Sequence, residues 1–479
     1  MENENVDKTF ISERGYGLLK SEYDYKEINR IREELTVSPK SMNSFGNANV
    51  PKYKIYSESS KKLYIPKYFG LQKFGEPDVN KLLDGIDINL KFNGSLRENQ
   101  VKPVERFLEA SKDPLKMGGL INLSCAAGKT VMSLYIVSKL AKKTLVVVHK
   151  DFLLKQWKER IEQFLPDARV GLLKAKTIDI EDKDIVMASL QSLSMKEYDK
   201  GTFDEFGLVV VDEVHHIGSE VFSRALNKVN FKYSLGLSAT MTRKDGLTKV
   251  FKWYLGDIVY RNTKKKVDNV NVECHEYYNE SPMYSREETL FNNKPNMARM
   301  INNICGFDDR TSYIVNIVKN IKDKEKNRNI LLLSDRREHL KDLKNRIDNL
   351  KIGSCGYYVG GMKDNELQYT EDNCDIILAT FSMAAEGLDL PKLDSVILCS
   401  PKSSIEQSVG RILRKKMEDR VYIPLIIDII DTFSMFINQS KKRTKYYKKC
   451  DYKIKYIKSK NTIDKELTEI KLEGKCFIK

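Results

Sequence analysis

"GLVVVDEVHH", residues 207–216, runs from an unbroken aliphatic segment straight into two carboxylates and two histidines. A strand with one wet face alternates apolar and polar residues, whereas a strand covered on both faces reads as a continuous apolar run. The stretch therefore predicts a strand of a parallel sheet buried between helices, with Asp212 and Glu213 emerging at its carboxyl edge, where open α/β folds bind ligands. Working outward, the same pattern recurs in "GLINLS" (119–124), "TLVVVH" (144–149), "DIVMAS" (184–189) and "YSLGLSAT" (233–240), with helical-looking segments between. After a Lys-rich connector near 261–269 it returns in "NILLLS" (329–334), "CDIILAT" (374–380), "SVILCS" (395–400) and "VYIPLIIDII" (421–430). The expected fold class is α/β, with two parallel-sheet domains in tandem, 91–265 and 266–440. An accessory region, 1–90, precedes them, and a basic C-terminal tail, 441–479, follows.

Bulk properties bound the remaining choices. At 479 residues the chain is long enough for about three domains. The opening "MENENVDKTFISERGYG" lacks the basic and apolar regions of a secretory signal, and no run approaches the ~18 apolar residues of a membrane span. We expect a protein that is not secreted, has no membrane partner and works in the cytoplasm. The cysteines Cys125, Cys274, Cys305, Cys355, Cys374, Cys399, Cys450 and Cys476 are scattered singly, without a C-x-x-C pair, as expected of reduced thiols rather than zinc ligands or disulfides. The net charge of +15 is concentrated in residues 441–479, where 14 Lys/Arg face 5 Asp/Glu, so the tail is a candidate polyanion contact. Its Tyr446, Tyr447, Tyr452 and Tyr456 could stack on bases or pack a C-terminal helix. Within 1–90, "KKLYIPKYFG" (61–70) reads as a short strand and turn and 38–51 as a loop; the region suggests no function.

"LSCAAGKT", residues 123–130, lies between a strand-like and a helix-like segment, the order that suits phosphate binding. Free N–H groups of a tight loop and a helix's first turn converge there, and the helix dipole favours negative charge. Gly128 admits the turn, Lys129 can reach β- and γ-phosphates, and the Thr130 hydroxyl can ligate Mg²⁺. Leu123 stands where the usual pattern has its first glycine. Asp212 would hold Mg²⁺ through water, and Glu213 would accept a proton from the attacking water. His215 would reach either the second domain or the Ser238 region, and a metal role for it lacks further ligands nearby.

Together these residues resemble the ATPase core of superfamily 2 helicases of the DEAH-like group, whose motifs follow in order from about 91 to 430. "LRENQ" (96–100) looks like the adenine-side segment, placing Gln100 near the base. "LSCAAGKT" is similar to motif I, "VVVHKDFLLKQW" to motif Ia, "MASLQSL" to the next strand-end motif, "DEVH" to motif II and "SAT" to motif III. "ILLLSDRREHL" is similar to motif IV, "ATFSMAAEGLDLP" to motif V and "QSVGRILR" to motif VI. "LGLSATMTRKDG" resembles the XPB-like branch, with Lys244 between Arg243 and Asp245 where that branch carries an acid. Ser124 and Ala126 also depart from its phosphate loop. The nearest resemblance is to helicases of large cytoplasmic DNA viruses, including the poxvirus-type helicase that releases transcripts.

The resemblance implies two RecA-like domains, ATP and Mg²⁺ as cofactors, and a motor on nucleic acid. Arg411 and Arg414 of motif VI, assisted by Gln407, would stabilise charge on the γ-phosphate, while Gly387 and Asp389 of motif V would serve the closing cleft. Loop groups near His149, Ser189, Ser334 and Thr380, with Arg243 and Lys244, would hold the backbone of the track. The expected activity is an ATP-dependent helicase or translocase on DNA, with RNA or an RNA–DNA hybrid as other tracks. The expected setting is viral transcription, repair or replication, with the transcription machinery as a partner, a monomeric state, and location in infected-cell cytoplasm or the virion. The alternatives are a catalytically silent nucleic-acid scaffold and a double-strand translocase that does not unwind.

Overall fold

The computed structural model describes residues 7–39, 52–123, 127–214, 219–239, 246–262, 269–386, 388, 390–415, 417–459 and 468–470. They fall into two compact units, Met1–Thr263 and Lys264–Lys479. His215, Arg243, Lys244, Gly387 and Asp389 lie outside the described residues, as do Ser124 and Ala126 of the phosphate loop.

In the first unit an eight-stranded sheet runs in the order Thr177–Asp179, Val170–Lys174, Ile185–Ser189, Thr144–Val148, Leu208–Val211, Tyr233–Ser238, Gly118–Asn122 and Ile258–Arg261. Every neighbouring pair is parallel except the first. The quoted run, Leu208–Val211, is central, and its side chains feed two separate cores. Val209 and Val211 enter one, Leu208 and Val210 the other. That is the physical reason the run never alternates: neither face meets water.

The accessory region supplies much of one cover. Thr9–Ser12, Gly15–Leu19, Ser57–Glu58, Lys62–Ile65 and Val79–Asn80 form a small mixed sheet. Ile11, Tyr16, Leu63 and Tyr68 share the core that receives Val209 and Val211. The strand expected in "KKLYIPKYFG" is Lys62–Ile65, but the expected turn is the helix Lys67–Phe74, opened by Pro66. Its helicity comes from tertiary packing: Phe69 meets Trp253 edge to face at 5.2 Å, and the Tyr68 hydroxyl lies 2.6 Å from Ser234 Oγ. Lys67 is buried at the same seam, donating to the Lys232 carbonyl at 2.9 Å and the Phe231 carbonyl at 3.3 Å.

In the second unit the order is Cys355–Tyr358, Ile376–Ala379, Ile330–Leu333, Ser395–Leu398, Leu425–Asp431, Asn271–Tyr277, Lys453–Lys458 and Thr468–Ile470, parallel except for the last pair. Again one strand serves two cores, with Leu331 and Leu333 on one side and Ile330 and Leu332 on the other.

Residues 441–458 are fold rather than appendage. Arg443 and Tyr447 sit on the helix Ser434–Lys449 and hold Asp428: Arg443 Nε donates to both carboxylate oxygens at 2.9 and 3.0 Å, and the Tyr447 hydroxyl at 3.0 Å. Lys453–Lys458 then pairs in parallel with Asn271–Tyr277. Tyr447 and Tyr452 are buried in the core of this unit, and half-buried Tyr446 and Tyr456 pack against it, as the packing alternative expects.

Candidate active site

The carboxyl edge of the first sheet gathers the expected groups. Val211 pairs with Val147, and Ser189 with Val148, so Asp212, His149 and Ser189 follow neighbouring strands at one edge. Gly128 takes a left-handed φ of 77° and opens the helix Lys129–Leu140. The positive φ favours glycine, and a Cβ there would come within 2.2 Å of Gln100 Nε2 and displace that side-chain amide. Leu123, the departure from the usual pattern, is a buried core residue whose N–H donates to the Ser238 carbonyl at 3.0 Å. It extends the strand before the loop turns.

Lys129 Nζ lies 2.8 Å from Glu213 Oε1. Glu213 itself has a φ of 48°, a left-handed conformation that a non-glycine residue adopts at a cost of order 1 kcal/mol. Its own N–H donates to Asp212 Oδ1 at 2.9 Å, which helps to hold that turn. Asp212 is buried, and its Oδ2 accepts the Trp157 indole N–H at 2.9 Å. Burial, and then the Glu213 carboxylate beside it, push the Asp212 carboxyl above its ordinary range, against Lys129 and the two donors. An acid pair with one lysine is what a divalent cation and a polyphosphate would complete. Each Asp212 oxygen keeps a second lone pair for a metal-bound water, and Lys129 can exchange Glu213 for phosphate.

Gln100 shows a different arrangement from the one its motif implies. It is buried, its Oε1 accepts from the Arg97 N–H at 2.9 Å, and its Nε2 donates to the Ala127 carbonyl at 3.1 Å. It brackets the start of the helix Glu98–Lys112 to the phosphate loop, so contact with a base would have to break that bracket.

In the second unit, "QSVGRILR" forms the short helix Glu406–Val409 followed by the 3-10 turn Gly410–Leu413. Arg411 lies within the 3-10 turn and Arg414 caps its end. Arg411 is buried with Nε donating to the Ala384 carbonyl at 2.6 Å; Arg414 and Gln407 are half-buried. Thr380 Oγ1 accepts from the Met383 N–H at 3.4 Å at the start of the helix Phe381–Glu386. Ser334, expected to touch the track, is fully buried between His339 Nδ1 at 3.1 Å and the Arg336 N–H at 3.2 Å. Its hydroxyl is held under the helix Arg337–Asn349, through His339, rather than open to a strand.

Trp157 is the site residue that the motif reading passed over. The available signal was chemical: a buried indole needs an acceptor for its N–H, and Leu153, Leu154, Trp157 and Ile161 bury one stripe of the helix Asp151–Phe164.

The family model described as "Type III restriction enzyme, res subunit" matches residues 93–243, and "Helicase conserved C-terminal domain" matches 310–416. A relative from Acanthamoeba polyphaga mimivirus, whose name describes a candidate ATP-dependent RNA helicase, is 35% identical over 461 residues, covering 93% of this chain and 86% of its own. The chain belongs to the superfamily 2 helicases. A helicase-named protein of Invertebrate iridescent virus 6 is 28% identical over 385 residues, 76% of this helicase and 83% of the relative. One from African swine fever virus, also named for RNA helicase activity, is 25% identical over 357 residues, 70% and 68%. The helicase is thus a nucleic-acid-dependent ATPase related to enzymes of large DNA viruses. Among the described residues no helix is long and apolar enough to cross a membrane.

Proposed function

We propose that this helicase is an ATP-driven motor that tracks along DNA and opens or strips duplexes, in the setting of viral transcript release. The observation that carries the reading is the Lys129–Glu213 ion pair beside a buried Asp212 at the sheet's carboxyl edge. In this reading Lys129 leaves Glu213 for the β- and γ-phosphates, and Glu213 becomes free to orient and deprotonate the attacking water. Thr130 and Asp212 would hold Mg²⁺, whose charge would offset the negative charge of the phosphates. Gly128 supplies the turn, and Arg411 and Arg414 are proposed to answer the charge on the transferred phosphoryl group. His149, Ser189 and Thr380 are proposed as backbone contacts, which suits a motor with little sequence preference.

DNA as the track rests on the likeness of "LGLSATMTRKDG" to the XPB-like branch. RNA is the second reading, favoured by the names of the mimivirus and African swine fever virus relatives. Steady-state ATP hydrolysis by wild type and Glu213→Gln separates them, measured alone and with matched single-stranded DNA, duplex DNA and RNA at two stated salt concentrations. Stimulation by DNA, abolished in the variant, supports the proposal; stimulation by RNA alone transfers the motor to RNA. Hydrolysis that no nucleic acid changes refutes both. Strand-displacement and triplex-displacement assays then divide unwinding from translocation.

A further inference from the structure

Trp157 makes one directed contact with the site among the described residues: its indole N–H to Asp212 Oδ2, at 2.9 Å. The other oxygen takes the Glu213 N–H at 2.9 Å. A donor on each oxygen fixes the carboxylate plane. Both donors are neutral, so they orient the acid without supplying a cation that would compete with Mg²⁺ for it. An arginine in that place would neutralise the acid, as Arg310 does for Asp431 in the second unit. The indole is 1% exposed, and its helix Asp151–Phe164 starts two residues beyond His149, at the end of the strand Thr144–Val148.

We infer that Trp157 is a positioning residue, which sets the Asp212 carboxylate for Mg²⁺ and ties it to the strand-end segment at His149–Lys150. The inference rests on the reading of Asp212 as the group that holds Mg²⁺. Trp157→Phe keeps most of the packing and removes only the donor. Losing an outer hydrogen bond to a metal-holding group typically costs about 10–100-fold in metal affinity or rate.

The test uses the full chain and two readouts. The sequence contains two tryptophans, Trp157 and Trp253, so Trp253→Phe leaves Trp157 as the reporter. First, Trp157 emission in that background is titrated with MgADP and with ADP plus EDTA. A Mg²⁺-dependent change that Asp212→Asn abolishes is expected, and emission indifferent to Mg²⁺ overturns the inference. Second, the Mg²⁺ concentration for half-maximal ATP hydrolysis and kcat are compared for wild type, Trp157→Phe and Leu154→Ala, a packing control on the same buried stripe. Trp157→Phe should raise the Mg²⁺ requirement about tenfold or more, while Leu154→Ala lowers thermal stability without moving it. Equal Mg²⁺ requirements in wild type and Trp157→Phe overturn the inference, as does the same shift in Leu154→Ala. Failure of the underlying ATPase reading shows separately, as wild-type hydrolysis that Glu213→Gln leaves intact.

Discussion

Asp212 and Asp431 each stand at the carboxyl end of an aliphatic strand in the middle of a parallel sheet, and both are buried. Their partners differ. Asp431 receives Arg310 Nε at 2.7 Å and another guanidinium nitrogen at 2.9 Å, plus the Tyr284 hydroxyl at 2.7 Å. Asp428, three residues earlier, is held the same way by Arg443 and Tyr447. Asp212 has an indole and an amide, while the Lys129 ammonium pairs with Glu213. A buried acid locked by arginine is part of the frame; one oriented by neutral donors keeps its charge for a ligand.

The sharpest way to break this comparison is Glu213→Gln, expected to lower nucleic-acid-stimulated ATP hydrolysis by about 10²–10⁴-fold with little change in melting temperature. A loss below tenfold would remove Glu213 from the role of base. Next in size is Asp431→Asn, which leaves Arg310 buried without its counter-charge and should destabilise the second unit by about 3–5 kcal/mol. Asp212→Asn is expected to abolish hydrolysis with a smaller loss of stability than Asp431→Asn, because one of the two N–H donors loses its acceptor but no buried charge is left without its partner. Burial raises the Asp212 carboxyl, so ionising it costs folding free energy above the ordinary carboxylate pKa, and asparagine avoids that cost. Denaturant midpoints of the two variants decide the matter; equal destabilisation would erase the distinction.

Lys67 extends the contrast to a buried base. Burial pulls its ammonium down to about 7, with carbonyls and the faces of Tyr68 and Phe231 as its partners among the described residues. Between that value and the ordinary lysine pKa the unfolded chain binds more protons, so stability rises with pH across the window, by up to about 1.4 kcal/mol per pH unit. Below about 7 the penalty is fully present. The stability difference between wild type and Lys67→Met should therefore shift in favour of wild type from pH 7 to 10, as followed by urea unfolding; a flat difference would mean the charge is retained. The smallest expected effect is Ser334→Ala, about 1 kcal/mol in stability with nucleic-acid affinity unchanged at fixed salt. A marked loss of affinity would place Ser334 on the track after all.

Much of this was readable from residues alone. Continuous aliphatic runs announced the parallel sheets because a strand with two dry faces has no reason to alternate. Gly128, Lys129, Asp212 and Glu213 stood out because small, cationic and acidic groups at strand ends are what phosphate chemistry would use, and these are local in sequence; the structure brings Lys129 and Glu213 together. Contacts that join distant segments were not readable: Trp157 to Asp212 across 55 positions, Gln100 to the phosphate loop, and Arg310 to Asp431 across 121. Nor could the pattern show that Ser334 is roofed by a helix or that residues 441–458 of the lysine-rich "tail" belong to a helix and a strand of the second unit. Composition records which charges a segment carries. Which of them meet water, a counter-charge or a ligand is decided only when the chain closes on itself, because burial and partner identity, not residue type, set the free energy of a charge.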